Sequence, residues 1–293
     1  MSVPVLVNKG GGTAAAHGEA LRDTIEAAFA AAGLPIDLHL LDGCDIAAAA
    51  AELSDRELVV VGGGDGTLGC AARALVEGGG ATLGILPLGT RNHLASQLGV
   101  PADLTQAAAL IAAGFTRRID LGRVNDEAFV NNASVGFYPQ LVRERDRVGL
   151  PKKLAAIPAT LRALGRIRHH RLHLTLKGEK QAVVTPMLFV GNNRYTMEAG
   201  RLGEREALDD GVLSIYAIAS RRRLALIGFG LRMLAGRADP DRDFAAIGEV
   251  ATMEVTGHAH HLDVALDGEV RRLAMPLRFS IQPGAITVIA PDR

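Results

Sequence analysis

Thiols are scarce in this 293-residue chain, which has only Cys44 and Cys70, and tryptophan is missing altogether. Two cysteines cannot build the disulfide framework of a small secreted scaffold, and they fit a reducing compartment. Net charge is lacking too, because 32 basic and 32 acidic residues cancel. A balanced chain has no bulk attraction to nucleic acid or to an anionic bilayer, so any such pull must come from local clusters. No apolar run reaches the ~18 residues that a membrane-crossing helix needs. The first residues run straight into Val3-Pro4-Val5-Leu6-Val7 without a basic leader, so no secretory signal is read there. The expectation is a cytoplasmic protein.

What is present is enough apolar material for two cores: 48% of the residues are hydrophobic. The first ~120 residues alternate strand and helix, as in a parallel sheet covered on both faces. Strands are expected at 3–7, 36–41, 58–61 and 82–86, with helices near 17–32, 46–53, 66–77, 91–98 and 103–113. From about Ile119 the rhythm changes to short strands: 128–130, 172–176, 186–190, 213–217, 250–256, 262–266, 276–281 and 285–290. That pattern suggests an antiparallel sandwich.

Ten residues carry more chemistry than any others. Leu58-Val59-Val60-Val61 reads as a buried strand, Gly62-Gly63-Gly64-Asp65-Gly66-Thr67 as a tight loop, and Leu68 onward as a helix. A strand, Gly-rich loop and helix N-terminus together offer unpaired backbone N–H groups and a positive dipole end to an anion. An acid within such a loop would repel phosphates unless a divalent cation stands between them or the acid has a catalytic task. Asp65 therefore points to a metal-bound nucleotide. The Walker pattern is absent.

A second loop of this kind follows. Thr82-Leu83-Gly84-Ile85-Leu86 reads as a strand broken by Pro87-Leu88-Gly89-Thr90-Arg91-Asn92, and a helix starts near His93 with Thr90 or Asn92 as N-cap. Adjacent strands ending in anion-accepting turns make a nucleotide cleft at the carboxyl edge of a parallel sheet.

These motifs resemble the diacylglycerol kinase catalytic domain family, which includes bacterial lipid kinases and sphingosine kinases. Its two Gly loops are matched by Gly63-Gly64-Asp65-Gly66-Thr67 and Pro87-Leu88-Gly89-Thr90-Arg91-Asn92-His93-Leu94-Ala95. Its Asn-bearing first turn is matched by Asn8-Lys9-Gly10, its Asp-Gly pair by Asp210-Gly211, and its late Asp-Gly-Glu by Asp267-Gly268-Glu269. The one departure is His93, where the family carries an acid. The resemblance implies a Rossmann-like parallel-sheet nucleotide domain over 1–122, with 284–293 returning to it. An antiparallel β-sandwich lipid-binding domain would span 123–283, an arrangement like that of NAD kinase and diacylglycerol kinase.

It also implies ATP and Mg²⁺, and an ATP-dependent lipid kinase acting on the hydroxyl of a diacylglycerol-like lipid. Asn8, Lys9, Gly10, Gly62, Gly63, Gly64, Asp65, Gly66, Thr67, Thr90 and Asn92 would line the nucleotide. Asp65 would orient magnesium, directly or through water. Glu269 would take the substrate proton with Asp267 supporting it, since residues two apart in a strand-like segment share a face. The alternative for the pair is a plain Asp-Gly hairpin turn. Asp210, with the carbonyls near Ala207 and Val212, matches a structural divalent-ion site suited to oxygen ligands.

Two basic, apolar stretches, 151–171 and 221–234, read as helices that either lie on a membrane surface or are ordinary solvated helices. His169 and His170 belong to the first of them. His258, His260 and His261 read as a polar hairpin rather than a zinc site, for want of cysteine or carboxylate at ligand spacing. The partners expected are a lipid and, transiently, the inner face of the membrane, with no nucleic acid; a homodimer stays open. An NAD kinase-like enzyme is a competing reading, although Asn131-Asn132-Ala133-Ser134 stands where an Asn-Glu pair would be expected. A non-catalytic lipid-binding or regulatory homologue is another.

Overall fold

The computed structural model describes residues 2–14, 18–90, 92–136, 169–196, 205, 207–218 and 244–292. The chain divides into two units, Met1–Leu121 with Pro283–Arg293, and Gly122–Gln282.

In the first unit, β1 (Val3–Asn8), β2 (Ile36–Leu41), β3 (Leu58–Gly63) and β4 (Thr82–Pro87) pair in parallel in the order β2-β1-β3-β4, and Val288 pairs in parallel with Leu83 beyond β4. The helices are α1 (Leu21–Ala31), α2 (Ile46–Glu52), α3 (Asp65–Gly78), α4 (His93–Leu98) and α5 (Leu104–Ala113). Val5, Val7, Val59, Val60 and Val61 are fully buried, as expected of strands covered on both faces. The helix ends follow local chemistry. Asp103 caps α5 by accepting from the Gln106 N–H at 2.9 Å, and Gly114 (φ 74°) closes it in a left-handed conformation. β3 outruns its expected end at Val61. Gly62 and Gly63 continue the ladder opposite Leu86 and Pro87, because a side chain on Gly62 would strike Val7 and Leu88.

β5 (Thr116–Val124) and β6 (Glu127–Phe129) lead into the second unit. There β7 (Asn132–Gly136), β8 (His170–Leu176), β9 (Glu179–Thr185), β10 (Met187–Asn192), β11 (Leu213–Ile218), β12 (Phe244–Val250), β13 (Thr252–Gly257), β14 (His261–Leu266), β15 (Glu269–Ala274) and β16 (Leu277–Ile289) form two antiparallel sheets. One runs β12-β11-β10-β7-β14-β15. The other runs β9-β8-β13 to the Leu277–Ser280 part of β16. Leu174, Val255 and Leu277 from one sheet and Val190, Leu213 and Val264 from the other are all fully buried in a shared core. This is the antiparallel β-sandwich expected after a parallel-sheet domain.

Several expectations need correction. The stretch 250–256 is not one strand: β12 ends at Val250, β13 starts at Thr252, and the two belong to different sheets. Conversely, 276–281 and 285–290 are the continuous β16. The histidine run 258–261 is no hairpin, since it joins β13 of one sheet to β14 of the other. His170 and Arg171 open β8, so the first basic stretch is not helical at its end. The rest of that stretch, 151–168, and the second stretch, 221–234, lie outside the described residues. Among the described residues, no helix is long and apolar enough to cross a membrane.

Candidate active site

The order β2-β1-β3-β4 places a topological switch point between β1 and β3, where a parallel sheet opens its crevice for ligands. Three loops gather there and are joined by specific bonds. The Asn8 side chain, at the end of β1, donates to the Thr67 hydroxyl in the first turn of α3 at 3.0 Å, and its Oδ1 accepts from the Gly10 N–H at 3.1 Å. The Thr13 N–H donates to the Leu88 carbonyl at 3.0 Å. Gly12 (φ 55°) is pressed against Leu88 and Gly89, and Gly89 against Gly64, so closely that a Cβ on Gly12 or Gly89 would collide with backbone. These glycines let three loops meet edge to edge. Lys9 is exposed and paired with Asp42 at 3.3 Å.

Gly64 is the N-cap of α3, so the amides of Asp65, Gly66 and Thr67 fall in the first helical turn, where no intrahelical acceptor exists. Gly62 and Gly63 belong to β3 instead, and the Thr67 side chain packs where a Gly63 side chain would go. The amide cradle expected from Gly62 to Thr67 is thus confined to its second half.

Asp65 has a partner that the sequence did not suggest. Its Oδ2 accepts from the His93 N–H at 3.1 Å and its Oδ1 from the Leu94 N–H at 2.9 Å, so the acid of the first Gly loop caps the helix of the second. Neither Thr90 nor Asn92 caps α4 with its side chain. Asn92, at φ 50°, turns its side chain back into its own loop. Its Oδ1 accepts from the Gly89 N–H (2.8 Å), and its Nδ2 donates to the Pro87 (3.1 Å) and Gly89 (3.0 Å) carbonyls. Thr90 is exposed, as is His93.

In the second unit, Asp267 and Gly268 form the two-residue turn between β14 and β15, both with positive φ (48° and 92°). Positive φ at both positions is the geometry that an Asp-Gly hairpin favours. Asp267 therefore does not share a strand face with Glu269. Its carboxylate accepts from the N–H groups of Val130 (2.8 Å), Asn131 (2.7 Å) and Asn132 (3.1 Å). The turn leaves the residue itself partly exposed while its carboxyl is enclosed. That burial pushes the carboxyl up to about 6, against the opposing pull of the three N–H groups and of Arg205. Glu269, the first residue of β15, is exposed and paired with Arg271 at 3.0 Å.

The Asp210 loop is held by Asn193, whose Oδ1 accepts from the Asp210 N–H at 3.0 Å and whose N–H donates to the Val212 carbonyl at 2.9 Å. Arg194 stands 3.5 Å from Asp210 Oδ1. Asp210 and the Val212 carbonyl thus already have partners in Arg194 and the Asn193 N–H, and with the Ala207 carbonyl they are oxygen donors of the kind that a hard cation takes. Among the described residues, no three His, Cys, Asp or Glu side chains cluster as a metal site.

With this geometry established, comparison with known proteins is informative. Residues 2–124 match the diacylglycerol kinase catalytic domain, and residues 133–290 match the YegS C-terminal NAD kinase beta sandwich-like domain. The chain belongs to the diacylglycerol kinase catalytic domain family. Its relatives include the proteins named Probable lipid kinase YegS-like of Pseudomonas aeruginosa (34% identical over 80% of this chain and 76% of that one) and of Klebsiella pneumoniae (31%, over 73% and 71%). Among solved structures, a diacylglycerol kinase from Bacillus anthracis has the same fold (TM-score 0.68, 21% identity, 99% of this chain and 97% of that one). So does an NAD kinase from Archaeoglobus fulgidus in complex with ATP (TM-score 0.56, 12% identity, 99% and 93%).

Within the second unit, sequence reasoning did not connect Asn131, Asn132, Asn192, Asn193 and Arg205 with the Asp267 carboxylate and the Asp210 loop, around which they gather. Paired asparagines at strand ends were the one available signal. Nothing in the pattern singles out Arg205.

Proposed function

We propose that this protein is an ATP-dependent lipid kinase that transfers the γ-phosphoryl group of ATP to the hydroxyl of a diacylglycerol-like lipid. One observation carries the reading: at the switch point of the sheet, two Gly loops are fastened by a single acid, Asp65, beside the first-turn amides of α3. Membership of the diacylglycerol kinase catalytic domain family supports it.

In this proposal the amides of Asp65, Gly66 and Thr67 hold the triphosphate through N–H groups and the helix dipole, with Asn8, Lys9 and Gly10 of the first turn and Thr90 and Asn92 of the second Gly loop lining the nucleotide. Asp65 keeps lone pairs beyond the two given to α4, so it can approach a cation through water while still capping the helix. Mg²⁺, when bound, would offset the charge on the phosphates. Phosphoryl transfer is mostly a matter of positioning and charge stabilisation, so the protein needs one more group, a proton acceptor for the lipid hydroxyl. Glu269 has that role, being exposed and directly after a firmly held turn. A second cation at Asp210, Ala207 and Val212 would be structural. The protein would meet its lipid by brief visits to the membrane surface.

The test is incubation of the purified protein with γ-labelled ATP, Mg²⁺ and a mixed lipid extract. Labelled lipid is expected. Label in a dinucleotide would show an NAD kinase instead, and no transfer at all would show a non-catalytic homologue.

A further inference from the structure

The Asp267 carboxylate fills only one side of the segment Val130–Asn132, the side that presents N–H groups. The other side is gripped by Arg205, which is 6% exposed. Its Nη1 donates to the Val130 carbonyl at 2.7 Å and to the Asn192 carbonyl at 3.3 Å, and its Nη2 to Asn131 Oδ1 at 2.8 Å. The guanidinium also lies 5.9 Å from the centre of the Tyr195 ring, whose hydroxyl donates to the Asn131 carbonyl at 2.9 Å. The segment is therefore held between a buried cation and a buried anion. The hairpin is fastened to it by its backbone as well, through the Asp267 N–H to the Asn132 carbonyl at 3.0 Å.

We infer that Arg205 is a positioning residue for the hairpin that carries Glu269, holding Val130–Asn132 in the one arrangement that seats Asp267. The inference rests on the reading of Glu269 as the proton acceptor. A buried guanidinium surrounded only by neutral carbonyls would be costly, and a buried carboxylate held only by amides would be costly too; each charge offsets the other across three residues of backbone. Through the Asn192 carbonyl the same side chain also reaches the end of β10, next to Asn193, which holds the Asp210 loop. The charged groups on the flanking strands are Glu269 and Arg271 on β15, which pair with each other, and Asp263 on β14, which stands opposite Arg272. Arg205 is the one that lowers the Asp267 carboxyl.

The experiment uses the full chain and the variants Arg205→Met, Arg205→Lys, Asp267→Asn and the double variant Arg205→Met/Asp267→Asn. Each is unfolded in urea at several pH values and assayed for lipid labelling from ATP. For Arg205→Met, kcat is expected to fall at least tenfold while the KM for ATP barely moves. The acid limb of the pH profile should rise by about one pH unit, because Asp267 loses its counter-charge. Arg205→Lys should recover part of both. In the unfolding series, the Asp267→Asn change should cost much less in the Arg205→Met background than in the wild type.

Equal losses in the Met and Lys variants with an unmoved pH profile, or fully additive costs in the double variant, would overturn the inference. If Arg205→Met does not fold, folding of the double variant supports the pairing and its failure refutes it. Should the wild-type protein label no lipid, the proposed function falls, whereas the urea series still decides whether Arg205 and Asp267 act as a pair.

Discussion

Asp65 caps a helix that is not its own: its Oδ1 accepts the Leu94 N–H at 2.9 Å, twenty-nine residues further along the chain. The bond makes one carboxylate responsible for the spacing of two Gly loops. Any task Asp65 has toward phosphates is performed by a side chain already held on both oxygens.

That double role can be separated by substitution. Asp65→Ala removes both acceptors and should cost about 1–2 kcal/mol of stability, as lost caps do, together with all phosphoryl transfer. Asp65→Asn keeps one acceptor oxygen and should recover much of the stability but none of the transfer. Urea unfolding alongside a transfer assay decides the matter. Turnover retained in either variant would leave Asp65 as a structural cap only.

Gly89→Ala tests the contact between the loops. A methyl group there meets the Gly64 backbone and Asn92 Oδ1, neither of which can retreat without opening the loop. The expected cost is about 1–3 kcal/mol, with weaker ATP binding by calorimetry. A variant of wild-type stability and affinity would show that the loops are slack enough to part.

Asp267 should impress a pH dependence on stability. Its folded value, about 6, lies above the ordinary 3.8, so the native state prefers the protonated acid. The stability this confers is complete below about pH 4 and is lost as pH rises to about 6, by on the order of 1–3 kcal/mol. Urea midpoints measured from pH 4 to 8 should show this decline, and Asp267→Asn should flatten it. An unchanged slope in the variant would place the titration on another group.

Glu269→Gln should fold normally and bind ATP normally yet label no lipid, because only the proton acceptor is lost. Arg271→Ala, which removes a half-exposed ion pair, should alter stability by under about 1 kcal/mol. A lipid-labelling rate unaffected by Glu269→Gln would move the acceptor role elsewhere.

The fold class was legible because the buried parallel strands are apolar runs bounded by glycines, and because the inner strands of the sandwich are apolar too. The strands that escaped notice include β9, β12 and β15, which form edges of their sheets. Glu179-Lys180-Gln181 and Arg271-Arg272 carry little apolar alternation because an edge strand has less to bury. The glycines around Asp65 were legible as the turn from a buried strand into a helix. Its bond to α4 was not, since a cap supplied from another loop leaves no mark at local spacing. Likewise Asp267-Gly268 announced a hairpin, but the backbone amides that receive its carboxylate belong to a segment 135–137 residues earlier.

β16 passes from one unit into the other, giving Leu277–Ser280 to the sandwich and Val288 to the side of β4. During synthesis the first hundred residues emerge with the outer edge of β4 uncovered, and the strand that covers it is made only after the sandwich strands. Completion of the first unit therefore waits for the second to be made, and a fragment ending at Val124 would present that bare edge to any other strand it met.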